Sequence, residues 1–181
     1  GICMMVRRWK GKAIRKIAGT DFHYKVLGEL EANQGSIFYM GSSNDVLAKV
    51  ERRIHDEYPH IRVRTYSPPY KSQLSSEDNQ VILQEIDRFA PDALMVGMTA
   101  PKQEKWIAEN LAQLQGIKVI GAIGGVFDFF AGTVNRGPQW ILNLKLEWLW
   151  RFVQEPRRLW QRNMVSTPKF LAYCRRYHKE M

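Results

Sequence analysis

Residues 92–123 read DALMVGMTAPKQEKWIAENLAQLQGIKVIGAI, and the parsing of this stretch decides the fold. "DALMVGM" is a short apolar run with the length of a buried strand. "PKQEKWIAENLAQL" is long enough for a helix and opens with proline, a residue that suits a first helical turn because it has no N–H to lose. "IKVIGAI" is a second buried strand. Two strands joined by one helix pair in parallel through a right-handed crossover.

The same alternation extends in both directions. Upstream, "SIFYMG" (36–41) reads as a buried strand, Asn44–Glu57 as an amphipathic helix and "HIRVRTY" (60–66) as a strand. "SPPYKSQLSSEDNQ" (67–80) reads as a loop rich in Ser and Pro that leads into a helix ending near Phe89. Downstream, "VFDFFA" (126–131) reads as a short helix. A helix is expected after Thr20 and another through Lys12. The fold class is therefore α/β, a Rossmann-like doubly wound parallel sheet. From Pro138 onward no strand candidate remains, and helical stretches are broken by Pro156 and Pro168. We expect an α/β domain over 1–137 and a C-terminal helical appendage over 138–181.

Charge separates these regions. Residues 1–18 carry six Lys or Arg and no acid, and residues 139–181 carry nine against three Glu. The stretch between is mildly acidic, although the whole chain has a net charge of +9. Basic ends attract an anionic partner: nucleic acid, phospholipid or a diphosphate. In the tail, Trp140, Trp148, Trp150 and Trp160 are interleaved with Arg. Indole and guanidinium on amphipathic helices suit a membrane interface, while packing of the tail on the core is the competing reading. No helix-turn-helix or RNA-binding signature accompanies the charge, so no nucleic-acid partner is expected. No run of about 18 apolar residues marks a membrane span. Cys3 and Cys174 form neither a disulfide framework nor a ligand spacing, which reads as a reducing cytoplasm.

In a doubly wound sheet, ligands sit beyond the C-terminal strand ends. Three strand-to-helix junctions carry suitable residues. "GSSND" (41–45) has Gly41 ending a strand, with Ser42, Ser43 or Asn44 able to cap a helix. "APKQE" (100–104) brings Lys102 and Gln103 to a helix start, where free N–H groups favour an anion and a glutamine can read a polar ring or sugar hydroxyl. "GAIGGVFDFFAGTVNRGP" (121–138) brings Gly121, Gly124 and Gly125, which let a backbone approach phosphates, without a G-x-G-x-x-G fingerprint. Asp128 stands among three phenylalanines. It is either buried with a raised pKa and fit to act as a general base, or bonded to backbone structurally. There is no Asp-x-Asp, His pair, Cys-x-x-Cys or G-x-S-x-G, so no metal site and no hydrolase nucleophile is expected. His23, His55, His60 and His178 share no metal spacing and read as surface residues.

Four motifs, in order and spacing, resemble one family: "GTD" (19–21), "APKQEKW" (100–106), "GGVFDFFAGTVNRGPQW" (124–140) and "LEWLWRFVQEPRRLWQR" (146–162). The chain, from Gly1 to about Tyr173, resembles the WecG/TagA/CpsF glycosyltransferases of bacterial cell-surface polysaccharide and teichoic acid assembly. The resemblance implies a peripheral enzyme at the cytoplasmic face of the bacterial plasma membrane. It would move an N-acetylmannosamine-type sugar from a UDP donor to a polyprenyl-diphosphate-linked acceptor. No cofactor is implied; the UDP-sugar is a substrate. Thr20 and Asp21 would lie near the donor, Gln103 would line its pocket, and Arg151, Arg158 and Arg162 would meet a diphosphate. Residues 139–181 would lie on an anionic membrane surface, and a homo-oligomer is compatible with the resemblance.

Two features depart from the family's pattern. Lys16 stands where the family often has Arg. The family's general-base Asp would immediately precede Gly1, so a base within this stretch would be Asp128 or Asp21. The alternative is a catalytically inactive relative that binds membrane and partners in the same pathway.

Overall fold

In the computed structural model, which describes residues 10–13, 17–134, 168, 169, 172, 173 and 176, the apolar run at 36–41 becomes the central strand of a parallel sheet. The chain divides into two compact units, Ile17–Val134 and a second drawn from 1–16 and 135–181. The elements of the first unit, in chain order, are α1 (Gly19–Ala32), β1 (Ser36–Gly41), α2 (Asn44–Glu57), β2 (Arg62–Tyr66), α3 (Ser76–Phe89), β3 (Ala93–Gly97), α4 (Lys102–Asn110), β4 (Val119–Ala122) and α5 (Gly124–Phe130). A single 3-10 turn, Leu111–Gln113, follows α4. The sheet order is β2-β1-β3-β4, with all pairs parallel and with Ser36 opposite Arg62, Ile37 opposite Ala93, and Ala93 opposite Val119.

Burial explains why this sheet is doubly wound. Ile37, Phe38, Tyr39 and Met40 are all fully buried, so β1 needs cover on both faces. Ile37 and Tyr39, with Ala93 and Met95 of β3, pack against α1, α2 and α5 through Leu27, Val50, Ile54 and Phe127. Phe38 and Met40, with Leu94 and Val96, pack against α3 and α4 through Ile82, Ile86 and Trp106. Each such side chain contributes roughly 1.5–3 kcal/mol through burial. The α2 helix carries its core side chains at Leu47, Val50 and Ile54, one stripe of an amphipathic helix. The expected doubly wound architecture is present.

The strand starts are joined by polar contacts. Asp92 Oδ2 accepts from Ser36 N at 2.9 Å and Ser36 Oγ at 2.8 Å, and Asp92 N donates to Ser36 O at 3.1 Å. Lys118 pairs with Asp92 Oδ1 at 2.7 Å. Hydrogen bonding from Lys118 and then from Ser36 holds the Asp92 carboxyl below its usual range.

Three local expectations are corrected. The helix that ends at Phe89 begins at Ser76, inside the stretch read as a loop. Ser75 Oγ accepts from Asp78 N at 3.1 Å and Asp78 Oδ2 accepts from Ser75 N at 3.0 Å, a capping box that starts the helix within a polar run. Pro101 is the residue before α4 rather than a member of its first turn. Near the N-terminus Lys10 is helical, but Gly11 to Ala13 are not, and Gly11 has φ +62°. Pro168, Lys169, Ala172, Tyr173 and Arg176 are helical and exposed. The expected 137/138 boundary and the Trp- and Arg-rich part of the tail lie outside the described residues.

Candidate functional site

In the unit Ile17–Val134 helices α1 to α5 alternate with parallel strands, so their N-termini gather at the C-terminal end of the sheet. β1 leads through α2 to one side and β3 leads through α4 to the other. The two chains therefore part between β1 and β3, the switch point at which such sheets bind ligands.

The turn after β1 is built for close approach. Gly41 stands opposite Gly97 at φ +111°, and a Cβ added to Gly41 would lie 2.5 Å from the Gly97 carbonyl oxygen. Ser42 follows at φ +63° and donates its N–H to Gly97 O at 3.0 Å. Ser43 then caps α2, its Oγ accepting from Val46 N at 3.4 Å. Of the three expected cappers, Ser43 takes that role. Gly97 ends β3, and its only signal in the sequence is a glycine at the end of "MVG". A Cβ there would lie 2.4 Å from the Phe127 ring.

The turns after β3 and β4 meet. Gln103 is buried, its Oε1 accepts from Gly124 N at 3.2 Å, and its Nε2 donates to Glu104 Oε1 at 2.9 Å. One side chain thus bridges the first turns of α4 and α5, and its amide retains a second lone pair and a second N–H for another partner. A Cβ on Gly124 would lie 2.5 Å from Met98 O and 2.8 Å from Gln103 Oε1. Packing of the chain on itself accounts for that glycine. Gly125 is half-buried in the same turn. Lys102 reaches sideways, its Nζ donating to Lys71 O at 2.7 Å across the loop after β2, and Ser67 Oγ of that loop donates to Ser42 O at 2.7 Å.

The start of α1 lies beside α5: a Cβ on Gly19 would be 3.1 Å from Val126. Thr20 is buried and Asp21 is exposed in this first turn. Asp128, one turn into α5, is half-buried, and its carbonyl accepts from Thr133 N and Oγ1, both at 3.0 Å. Ser43 and Ser75 cap α2 and α3, whereas among the described residues no side chain caps α1 or α4. Lys102 N donates to Thr99 O at 2.8 Å, and the positive ends of the helix dipoles at α1 and α4 favour an anion. Thr20, Asp21, Gly41, Lys102, Gln103, Gly124 and Gly125 all belong to this end of the sheet. Arg151, Arg158 and Arg162 lie outside the described residues. Among the described residues no group of three or more His, Cys, Asp or Glu is placed to hold a metal, and no helix is long and apolar enough to cross a membrane.

At the other end of the sheet a groove of about 480 Å³ runs between α1 and the starts of β3 and β4, lined by Phe22, Val26, Leu30, Asp92 and Lys118 among others. Its Asp92 and Lys118 are paired with each other, and it contains no residue expected to act in a site. His23 also corrects the sequence reading: it is 1% exposed rather than on the surface. His55 and His60 are exposed as expected.

Comparison with known proteins was consistent with the geometry. The chain is 36% identical over 170 residues, 94% of its length, to the N-acetylglucosaminyldiphosphoundecaprenol N-acetyl-beta-D-mannosaminyltransferase of Bacillus subtilis (strain 168). It is 29% identical over 93% of its length to the protein of the same name from Bacillus spizizenii, and 28% identical over 94% to that of Staphylococcus aureus (strain MW2). The chain spans 63%, 63% and 64% of the lengths of these relatives. The model of the WecG/TagA/CpsF family of glycosyl transferases matches residues 1–181, and the chain belongs to that family.

Proposed function

We propose that the chain carries the donor-binding unit of a glycosyltransferase. In this reading it moves an N-acetylmannosamine-type sugar from UDP to a polyprenyl-diphosphate-linked N-acetylglucosamine in the assembly of a cell-surface polymer. The observation that carries the reading is the bridge from Gln103 to Gly124 N, which ties two helix starts together at the switch point of the sheet. The names of the relatives supply the sugar and the acceptor.

The chemistry asks for two things. Departure of UDP needs positive charge on its diphosphate. The uncapped first turns of α1 and α4 are suited to supply part of it, with Arg151, Arg158 and Arg162 adding fixed cations and no metal required. The acceptor hydroxyl needs a base, for which Asp128 and Asp21 are the candidates in this chain, beside the aspartate that the family carries before the position of Gly1. The basic tail, 139–181, would hold the enzyme on the anionic cytoplasmic face of the plasma membrane, where a polyprenyl-linked acceptor resides.

Calorimetric titration with UDP tests the reading. The parent chain should show saturable binding, and Gln103→Ala should weaken it about tenfold, the effect of one buried polar partner. No binding by the parent would overturn the assignment of the donor pocket. Transfer from UDP-N-acetylmannosamine to a polyprenyl-diphosphate N-acetylglucosamine, followed by product mass, then checks the sugar and the acceptor.

A further inference from the structure

Asn79 lies in the first turns of α3, inside the polar run read from sequence as a loop. Its Oδ1 accepts from Trp106 Nε1 at 2.7 Å and its Nδ2 donates to Asn110 Oδ1 at 2.8 Å. Asn110 Nδ2 then donates to Trp106 O at 2.8 Å. The ring of three bonds closes on itself. Trp106 and Asn110 are each 4% exposed and Asn79 is half-buried, so two of the three members are withdrawn from competing water.

The chemistry of the groups fixes the orientation of every member. An indole N–H can only donate, so it must face the oxygen of Asn79. That turns the Asn79 NH2 toward the oxygen of Asn110, and hence the Asn110 NH2 toward a carbonyl. No amide can flip without losing two bonds. A second tie joins the same turns: Lys71 Nζ pairs with Asp78 at 2.7 Å, and Lys102 Nζ donates to Lys71 O at 2.7 Å.

Such directional contacts supply what packing does not. Apolar burial between α4 and the sheet is non-directional, so it sets the distance of the helix but leaves its rotation about its own axis soft. Gln103 is three residues before Trp106, on the adjacent turn of the same helix face. Its bond to Gly124 N, at 3.2 Å, is at the long end of the normal range, so a small roll of α4 breaks it. We propose that Asn79 is a positioning residue for the donor pocket: through Trp106 and Asn110 it fixes the roll of α4, so that Gln103 reaches Gly124 and the first turn of α4 faces the switch point. The consequence for ligand binding rests on the donor-pocket reading above, but the mechanical claim does not.

Amide hydrogen exchange at Gly124, followed by NMR in the full chain, tests the mechanical claim. The variants are Asn79→Leu and Trp106→Phe, the second keeping an aromatic ring while removing the indole N–H. Ile82→Val, a core truncation on α3 outside the ring, serves as the control for loss of stability. Gly124 should exchange at least about tenfold faster in both ring variants than in a control of matched melting temperature, because its acceptor is no longer held in place. Equal exchange at matched stability in all three would overturn the inference, since Asn79 would then act only on stability. UDP affinity is read on the same samples, with a loss of about three- to tenfold expected in the ring variants alone. If the parent fails to bind UDP, the donor-pocket reading falls while the exchange result stands; if it binds and the ring variants bind equally well, the link from Asn79 to the pocket falls.

Discussion

On one face of the sheet α1, α2 and α5 enclose His23, Tyr39 and Phe130; on the other, α3 and α4 enclose Asn79, Trp106 and Asn110. Both layers bury polar groups among apolar ones, but they treat them differently. In the first, His23 Nε2 meets the Tyr39 hydroxyl at 2.6 Å, while Nδ1 is buried with no hydrogen-bond partner among the described residues. The imidazole stands edge-on to Phe130 at 4.8 Å, and the Arg53 guanidinium lies 4.4 Å from the centre of that ring. In the second, both asparagine amides and the indole N–H are matched. A polar group that titrates and is half satisfied makes its layer sensitive to pH, whereas a closed ring of neutral amides does not. The two faces of one sheet should therefore respond differently to acid.

The largest test of that contrast removes the cover of His23. Phe130→Ala should cost about 3–5 kcal/mol at neutral pH, as for other buried aromatics, and should let the His23 pKa rise toward its ordinary value. Denaturant unfolding at several pH values reads both effects; an unchanged acid response would show that Phe130 does not desolvate the imidazole.

Next in size is the acid response itself. Burial first, and the charge of Arg53 second, push the His23 pKa down to about 4. The folded protein thus keeps the imidazole neutral while the unfolded chain takes up a proton near pH 6.5. Stability should be fully present above that pH and fall as the pH drops from about 6.5 to about 4, by about 3 kcal/mol in total. His23→Gln, which does not titrate, should flatten that limb. Asp92 acts in the same direction but at lower pH, because its depressed carboxyl is protonated only below the usual carboxylate range. A wild-type stability that stays flat from pH 7 to 4.5 would break the comparison.

The smallest change is on the other face. Asn110→Leu leaves Asn79 Nδ2 without its acceptor and removes the side-chain bond to the Trp106 carbonyl, a loss of about 1–3 kcal/mol. The same loss should appear at pH 7 and pH 4.5, because nothing in that ring titrates. A pH-dependent loss would show that the two layers are electrically coupled through the sheet.

The sequence revealed the sheet more readily than the contents of its layers. β1 and α2 have the boundaries read from sequence because an apolar run, a glycine and a serine cap are local signals. The start of α3 is hidden in the sequence because its capping box, Ser75 with Asp78, is written in the same residue types as a loop, and only Ile82 and Ile86 further on reveal the buried stripe. The burial of His23 was invisible from sequence, since it depends on Tyr39 and Phe130, residues distant along the chain. At the candidate site the junctions were legible, as glycines and polar clusters gather at strand ends. The bond from Gln103 to Gly124, the packing that requires Gly124 to lack a side chain, and the part taken by Asn79 are products of tertiary approach and have no local signature.

The joint between Ser36 and Asp92 has a consequence for how the sheet is threaded. β1 is apolar at Ile37, Phe38, Tyr39 and Met40 alike, so a slip of one residue against β3 would still bury greasy side chains on both faces and would merely exchange what each layer receives. Hydrophobicity alone sets register only where one face is wet. Here both are dry, and the four hydrogen bonds between one serine and one aspartate are lost by any such slip. The count of residues along the central strand is thus kept by the polar pair at its start.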